Sequence, residues 1–199
     1  LKPMRKIPQQ QRSKELVARL VDATAQSIRE QGMDKFTTHH VAELAGVSVG
    51  SLYQYFDSRE DLIEALLDTV TLNLREGLNT LVLEKTTDLR DMVQRSVHFG
   101  MSFLRADDGL AVELVRNWYR LPTQNVVRLL QDTLLDFMRM YLLKNPLSNN
   151  PERLQIRSFI IANAIVFTMI RAISEPSPFI TDEELEIELV EMVVSYLNA

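Results

Sequence analysis

The chain has 199 residues, of which 46% are hydrophobic and 25% charged, and its net charge is −5. This composition is typical of one or two packed domains and excludes a disordered chain. The absence of cysteine excludes disulfides, thiolate metal sites and a cysteine nucleophile. The longest apolar stretch, residues 159–170, is too short for a membrane span. The N-terminus also lacks the apolar core of a signal peptide, so we expect a cytoplasmic protein that has no membrane partner.

The first fourteen residues form a basic arm that contains no acidic residue; its cations are Lys2, Arg5, Lys6, Arg12 and Lys14. Residues 1–60 hold nine basic and seven acidic side chains, whereas residues 61–199 hold thirteen basic and twenty acidic ones. A basic end on an acidic body favours contact of that end with a polyanion such as DNA. A solubilising tail is the alternative.

Apolar residues follow helical spacing through nearly the whole chain, and strand-like alternation is absent, so the predicted fold class is all-α. Gly32 ends the first helix. Capping boxes at Asp57 with Glu60 and at Thr181 with Glu184 begin the fourth and the last helices. The predicted helices span about 13–31, 37–44, 48–56, 57–75, 87–105, 108–119, 122–144, 151–174 and 182–197.

The link between the second and third predicted helices has the sequence of a tight turn. Gly46 lies where a short turn between two helices requires a residue that tolerates positive φ. Ser48 can cap the third helix by accepting a hydrogen bond from a backbone N–H two or three residues later. Because successive helical residues lie about 100° apart, Leu52 and Phe56 share a face, which we expect to pack on the first helix with Val47.

The opposite face of the third helix is small at its start and polar at its end. It carries Gly50, Ser51, Tyr53 and Gln54, and Tyr55 lies on the flank. A helix fits the major groove of DNA, where small residues let the backbone approach base edges. Tyrosine hydroxyls and glutamine amides can donate to phosphates or bases. The pattern therefore predicts a helix-turn-helix whose third helix reads DNA, and a helical hairpin with ordinary surface tyrosines is the alternative.

The segment FTTHHVAELAGVSVGSLYQYFDSREDLIEALL, residues 36–67, closely resembles the DNA-binding domain of the tetracycline-repressor (TetR) family. That family typically has a threonine at the start of the second helix, an Ala-Gly-Val-Ser turn, a Gly-Ser/Thr-Leu-Tyr motif and a Tyr/His-Phe pair. The resemblance covers about residues 13–68, a third of the chain. One departure is Arg59, where the family usually has lysine, and both residues suit phosphate.

The resemblance implies that ten positions meet DNA. Thr38, Tyr53 and Tyr55 should contact phosphates, and Arg59 should anchor the DNA backbone. His39 lies beside Thr38, and simple surface exposure is its alternative. Gln54 is best suited to base-specific hydrogen bonding, whereas the start of the third helix should approach bases or thymine methyl groups. The implied set is Thr38, His39, Ser48, Val49, Gly50, Ser51, Tyr53, Gln54, Tyr55 and Arg59.

For the rest of the chain, the resemblance implies a helical domain that binds a small molecule and forms a dimer. We therefore expect residues 1–60 to be the arm and DNA-binding domain, and residues 61–199 to bind the effector and dimerise. The predicted homodimer uses residues 151–174, which are apolar nearly all round, and residues 182–197. The stripe expected at the interface on this last helix is Leu185, Leu189, Met192, Val193 and Tyr196. Intramolecular burial of these helices is the alternative.

The expected effector is a small apolar or amphipathic molecule. Core packing or surface exposure is the alternative for each candidate pocket residue. The candidates are Phe99, Phe103, Arg116, Asn117, Trp118, Phe137, Tyr141, Asn163 and Met169.

The function that the resemblance implies, and that the basic arm and the helix-turn-helix pattern support, is a transcriptional regulator, typically a repressor, that binds palindromic double-stranded operator DNA and is released by the effector. Two alternatives stay open: a DNA-binding regulator without a small-molecule effector, and a helical ligand carrier or enzyme. The sequence offers no Ser/His/Asp arrangement, metal-ligand cluster or phosphate-binding glycine loop for an enzyme, so we expect neither catalysis nor a cofactor.

Overall fold

The computed structural model describes residues 11–83, 88–106, 109–130, 132–133, 136 and 151–198. In these residues the secondary structure is helical and contains no β-strand, which confirms the all-α prediction. The helices are α1 (Gln11–Gln31), α2 (Thr38–Leu44), α3 (Val49–Leu52), α4 (Arg59–Leu83), α5 (Leu89–Arg105), α6 (Leu110–Arg116), a 3₁₀ turn (Trp118–Arg120), α7 (124–130), α8 (Pro151–Ser174) and α9 (Asp182–Asn198).

Most predicted helices occur within a few residues of their expected bounds, and four differ. The helix predicted at 57–75 continues to Leu83. The helix predicted at 48–56 is only four residues long and is followed by a turn at 53–55. The helix predicted at 108–119 ends at Arg116 and continues as the 3₁₀ turn. Much of the helix predicted at 122–144 lies outside the described residues.

The described residues form two compact units. The N-terminal unit contains the residues up to 70 together with 109–123, and the C-terminal unit contains 71–106 and the residues from 124 onward. The single helix α4 contributes residues to both units. The functional division predicted between residues 60 and 61 stays a prediction.

The N-terminal unit has its own apolar core. The inward face of α1 meets α2, α3, the start of α4 and two leucines of α6. Its fully buried side chains, each at most 1% exposed, include Leu20, Ile28, Phe36, Val41, Leu52, Phe56 and Leu62. Burying a leucine or phenylalanine contributes about 1.5–3 kcal/mol each, so this core holds helices that would be too short to form alone.

The start of α4 is capped differently from the prediction. Ser58 Oγ accepts a hydrogen bond from the Asp61 backbone N–H at 3.2 Å, and Asp61 Oδ2 accepts one from the Asp57 N–H at 2.9 Å. The capping residues are therefore Ser58 and Asp61, one position later than the predicted capping box of Asp57 and Glu60, which is wrong. At the start of α9, Thr181 Oγ1 accepts from the Glu184 N–H and Glu184 Oε2 accepts from the Thr181 N–H, each at 3.2 Å, which confirms the second box.

In the C-terminal unit, α5 and α9 pack along each other in antiparallel directions. Their shared core includes Val97, Met101 and Val193, all at most 2% exposed. Three polar pairs flank this core: Arg90 with Glu191, His98 with Glu186, and Arg105 with Asp182. The hydrogen bond from Arg90 holds the pKa of the Glu191 carboxyl below its usual value. These pairs fix the register of α9 on α5.

The outer face of α8 carries a row of residues that we call the α8 stripe: Ile156, Phe159, Ile160, Asn163, Phe167 and Ile170. Ile156 and Phe159 are each 60% exposed, and Ile160 and Phe167 are 45% and 39% exposed. Asn163 and Ile170 are half-buried. The part of α8 from Gln155 to Ser174 is long and apolar enough to cross a membrane, which corrects the expectation that no stretch reaches that length. The core helix of a soluble protein meets the same criterion, so one such helix is weak evidence for a membrane span.

The apolar residues of α9 lie differently from the prediction. Leu189 and Val193 belong to the stripe expected at the dimer interface, yet they are 4% and 2% exposed and pack in the core of their own unit. The exposed apolar residues of α9 are Ile187 and Met192, at 54% and 41%. In a single chain, therefore, most of α9's apolar surface is already covered by α5 and α8.

Candidate nucleic-acid interface

The turn between α2 and α3 has the geometry that the sequence predicts. Gly46 has φ +66°, and a Cβ at this position would meet no atom within 4 Å, so the backbone conformation alone explains the glycine. Thr37 Oγ1 caps α2 by accepting from the His40 N–H at 3.2 Å. Ser48 Oγ caps α3 by accepting from the Ser51 N–H at 3.1 Å. These caps replace hydrogen bonds that such short helices cannot supply internally.

α3 is anchored to the N-terminal core by one of its faces. Leu52, the last residue of α3, is fully buried. Phe56, which follows the turn after α3, is also fully buried. Val47 and Val49 are half-buried against the same cluster. The position of α3 is therefore set by packing, as the sequence predicts for Leu52 and Phe56.

The opposite face of α3 is open. Ser48, Gly50, Tyr53 and Gln54 are exposed, with Tyr53 at 41%, and Ser51 is half-buried. Gly50 has ordinary helical geometry, and a Cβ there would lie 3.7 Å from Ser48 Oγ, which is a normal contact. The fold therefore gives no reason for a glycine at position 50.

Two hydroxyl groups link the start of α2 to the end of α3. Thr38 Oγ1 and Tyr53 OH are 3.2 Å apart, close enough to share a hydrogen bond. Both belong to the phosphate-contacting set that the resemblance implies. Two adjacent hydroxyls on different helices can donate to one phosphate and set the angle between α3 and the DNA backbone.

The two adjacent histidines of α2 have different surroundings. His39 is exposed, which fits both the expected DNA contact and simple surface exposure. His40 is half-buried, with its Nδ1 2.8 Å from the Oγ of the fully buried Ser27 and its Nε2 3.5 Å from Glu30 Oε2. His40 therefore ties α2 to α1, a role that helical spacing alone did not reveal.

Two residues of the implied DNA-contact set lie elsewhere than expected. Tyr55 is only 6% exposed and packs in the N-terminal core, so its position on the flank of α3 was a wrong expectation. Arg59 is half-buried, and its guanidinium points into the protein. It donates to the carbonyl oxygens of Met33 and Asp34 and lies 4.2 Å from the centroid of the Phe36 ring. Its Nε is buried without a hydrogen-bond partner in the described part of the chain. Arg59 therefore holds the α1–α2 loop, and its expected contact with the DNA backbone stays a prediction.

The same loop is held by residues near α6. Gly32 ends α1 with φ +77°. The Met33 N–H donates to Glu113 Oε2 at 3.2 Å, and Arg120 forms an ion pair with Asp34 at 2.9 Å. Arg59 on one side, and Glu113 with Arg120 on the other, fix the segment that sets how α2 leaves α1.

The candidate effector residues fall into separate groups. In the C-terminal unit, the half-buried rings of Phe99 and Phe103 are 5.9 Å apart, and Phe99 packs directly against the backbone of Gly77. Met169 is buried against Gly100.

Asn163 lies about 120° from Met169 around α8, on the exposed stripe, so these two residues do not line one surface. Arg116, Asn117 and Trp118 belong to the N-terminal unit, where Asn117 Nδ2 donates to the Glu113 carbonyl at 2.9 Å. Phe137 and Tyr141 lie outside the described residues. The effector pocket stays a prediction.

Two family descriptions match the chain. "Bacterial regulatory proteins, tetR family" matches residues 20–66, and "Tetracyclin repressor-like, C-terminal domain" matches residues 88–197. The nucleoid occlusion factor SlmA of Glaesserella parasuis serovar 5 (strain SH0165) is 35% identical over 60 residues, which is 30% of either chain. The match thus spans less than a third of that relative's length.

Two solved structures share the fold at low sequence identity. A tetR-family transcriptional regulator from Streptomyces coelicolor aligns with a TM-score of 0.70 and 18% identity, over 93% of this chain and 81% of that one. The transcriptional regulator FadR from Bacillus subtilis, in complex with stearoyl-CoA, aligns with a TM-score of 0.65 and 17% identity, over 90% of this chain and 98% of that one. At such identities the likeness shows the fold alone.

Proposed function

The chain belongs to the tetR family of bacterial regulatory proteins, and we propose that it represses transcription by placing α3 in the major groove of a palindromic operator. The observation that carries this proposal is the asymmetry of α3. Leu52 and Phe56 are fully buried, whereas Gly50, Tyr53 and Gln54 are exposed on a surface that the fold itself does not use. A selection of operator sequences from random double-stranded DNA tests the proposal, and recovery of no preferred palindrome would contradict it.

We expect Gly50→Ala to weaken operator binding by about tenfold or more, which is roughly 1.4 kcal/mol. The added methyl group fits the free protein because its nearest neighbour would be 3.7 Å away, and alanine favours a helix by up to about 1 kcal/mol over glycine. A loss of operator affinity would therefore have to come from a clash between the added methyl group and DNA that approaches α3 closely. Thermal unfolding and a fluorescence titration with operator measure the two effects. Ser195→Ala, an exposed change on α9, is the control. Unchanged operator affinity in Gly50→Ala would contradict a close approach at this position.

We expect Gln54→Ala to relax the preference at one base pair in each half-site, at a cost of about 1–3 kcal/mol against the correct base. The exposed carboxamide can donate and accept at a base edge, and alanine removes both groups without changing a buried residue of the turn that follows α3. Tyr53→Phe is the comparison, because loss of a phosphate-contacting hydroxyl should weaken binding to all operator variants by a similar factor. Affinities for a set of single-base operator variants measure both changes. A uniform loss from Gln54→Ala would show that Gln54 contacts only the DNA backbone.

The dimer proposed here uses α8 and α9. Regulators of this family usually form dimers, and the α8 stripe presents six residues without a charge on one face of the helix. An exposed apolar row of this kind typically marks a protein interface. Two linked N-terminal units can then occupy both halves of a palindrome. We propose that they do so on operator DNA in the cytoplasm.

We also propose that a small apolar or amphipathic effector releases the protein from its operator. The Phe99–Phe103 pair of the C-terminal unit offers apolar contact, and the Bacillus subtilis FadR neighbour is bound to stearoyl-CoA. Stearoyl-CoA is therefore a reasonable first probe, titrated with and without operator. Linkage requires that a releasing ligand bind more weakly when operator is present.

The alternative is a DNA-binding protein that no small molecule controls. The N-terminal unit is similar to a nucleoid occlusion factor, a role at DNA that its name does not connect with a small molecule. Equal ligand affinity with and without operator, across a series of acyl and other apolar probes, would support it. Catalysis is not part of either proposal.

A further inference from the structure

The α8 stripe contains one polar residue, and that residue lies at its midpoint. The apolar members of the stripe begin at Ile156 and end at Ile170, and Asn163 lies seven residues from each. Phe159 and Ile160 are adjacent, on either side of the centre of the stripe, and the other consecutive spacings are three or four residues, so all six residues share one face. Ile160 is the one member without a counterpart at the same distance on the other side of Asn163. The stripe is therefore nearly symmetrical about Asn163.

The side chain of Asn163 is only partly satisfied within its own chain. Nδ2 donates one hydrogen bond to the Phe159 carbonyl oxygen at 2.7 Å. A carboxamide offers two N–H groups and an oxygen that accepts two hydrogen bonds. One N–H and Oδ1 thus have no hydrogen-bond partner in the described part of the chain. A wholly apolar cover over the stripe would bury these groups unpaired, which disfavours such a cover.

A second copy of the same chain can supply the missing partners. In a contact between two copies related by a two-fold axis, a residue on the axis meets its own counterpart. With the axis at Asn163 and the two helices antiparallel, residues equidistant from it face each other, Ile156 with Ile170 and Phe159 with Phe167. Moving the axis by a helical turn would shorten the apolar overlap and place the carboxamide against an apolar side chain.

We propose that Asn163 lies on the two-fold axis of the homodimer, where the two carboxamides hydrogen-bond to each other and make the interface selective for a second copy of this chain. The inference rests on the proposed homodimer and adds the residue at its centre. Each Oδ1 accepts the free N–H of the partner's carboxamide. A single buried asparagine sets register and partner choice in coiled coils in the same way, at some cost in stability. A chain without an amide at this position would leave Asn163 unpaired, and this disfavours mixed dimers.

Charge complementation at position 163 tests the placement. Full-length Asn163→Asp and Asn163→Lys are prepared separately, and sedimentation velocity is measured on each alone and on an equimolar mixture. Like charges meet on the axis in each single variant, so we expect dimer dissociation constants more than about tenfold above wild type. In the mixture, aspartate meets lysine, and we expect a one-to-one dimer to return. The half-buried position of Asn163 lets both variants fold, and circular dichroism checks this.

Asn73→Asp and Asn73→Lys are the matched controls, since Asn73 is an exposed asparagine on α4. They should dimerise like wild type. If both position 163 variants also dimerise like wild type, Asn163 lies outside the interface. If both are monomers and their mixture is too, Asn163 lies inside the interface and off the axis. Either result contradicts the placement of Asn163 on the two-fold axis and does not contradict the homodimer. A wild-type protein that is monomeric, or that associates only with lipid vesicles or a different protein, overturns the homodimer itself.

Discussion

Replacing Val193 by aspartate is expected to unfold the C-terminal unit, whereas replacing Phe159 by aspartate is expected to leave that unit folded but monomeric. Val193 is 2% exposed and packs between α5 and α8, while Phe159 is 60% exposed on the α8 stripe. A carboxylate at position 193 would be buried in an apolar core without a cation, at a cost of more than about 4 kcal/mol. That is a large part of the stability of a typical domain.

At position 159 the carboxylate stays in water until two chains meet. The cost therefore appears in association and not in folding. Urea denaturation measures the first effect and sedimentation velocity the second, with Asn73→Asp as the control for added charge. Cooperative unfolding of Val193→Asp at the wild-type midpoint would contradict the burial of this residue. A Phe159→Asp protein that remains a wild-type dimer would exclude the α8 stripe as the interface.

Replacing Arg59 by alanine is expected to lower the free energy of unfolding of the N-terminal unit by about 1.5–3 kcal/mol. The guanidinium donates to the Met33 and Asp34 carbonyls and stacks on Phe36. Alanine removes the charged hydrogen bonds and the ring contact together. Operator affinity should fall to a similar extent for all DNA sequences, because Arg59 supports the reading unit without touching a base.

Lysine at position 59 provides the matched comparison. Its single ammonium cannot reproduce the planar fork that reaches two carbonyls, so Arg59→Lys should recover only part of the lost stability. Thermal unfolding and operator titrations at two salt concentrations measure both variants. If Arg59→Ala keeps wild-type stability while its affinity loses salt dependence, Arg59 is a phosphate contact, as the family resemblance implied.

Local signals in the sequence predicted the parts of the fold that depend on neighbouring residues. Gly32 and Gly46 both have positive φ, and Ser48 caps α3 as its position before a short apolar helix suggests. The start of α4 shows the limit of this reasoning. Asp57, Ser58 and Asp61 offer two overlapping caps, and the choice between them depends on where the preceding turn ends.

Other features depend on contacts between distant parts of the chain. Arg59 meets a loop 25 residues earlier, and nothing in its local sequence distinguishes a phosphate contact from this inward clamp. Similarly, α9 is apolar on more than one side, so periodicity alone cannot say which side meets α5 of the same chain. Periodicity therefore predicts an interface position for Val193, whereas its own unit already covers this residue.

Because α3 is only four residues long, evolutionary selection for folding and selection for operator sequence act on different residues of this segment. A helix this short has almost no intrinsic stability, so Leu52, Phe56 and the caps determine whether it exists at all. Gly50 and Gln54 lie in solvent and belong neither to the buried cluster nor to the caps, so substitutions at these positions leave both in place. After a gene duplication, these outward positions could diverge to new operators one residue at a time, without passing through unfolded intermediates. The same property makes the segment a practical site for redesigning operator preference.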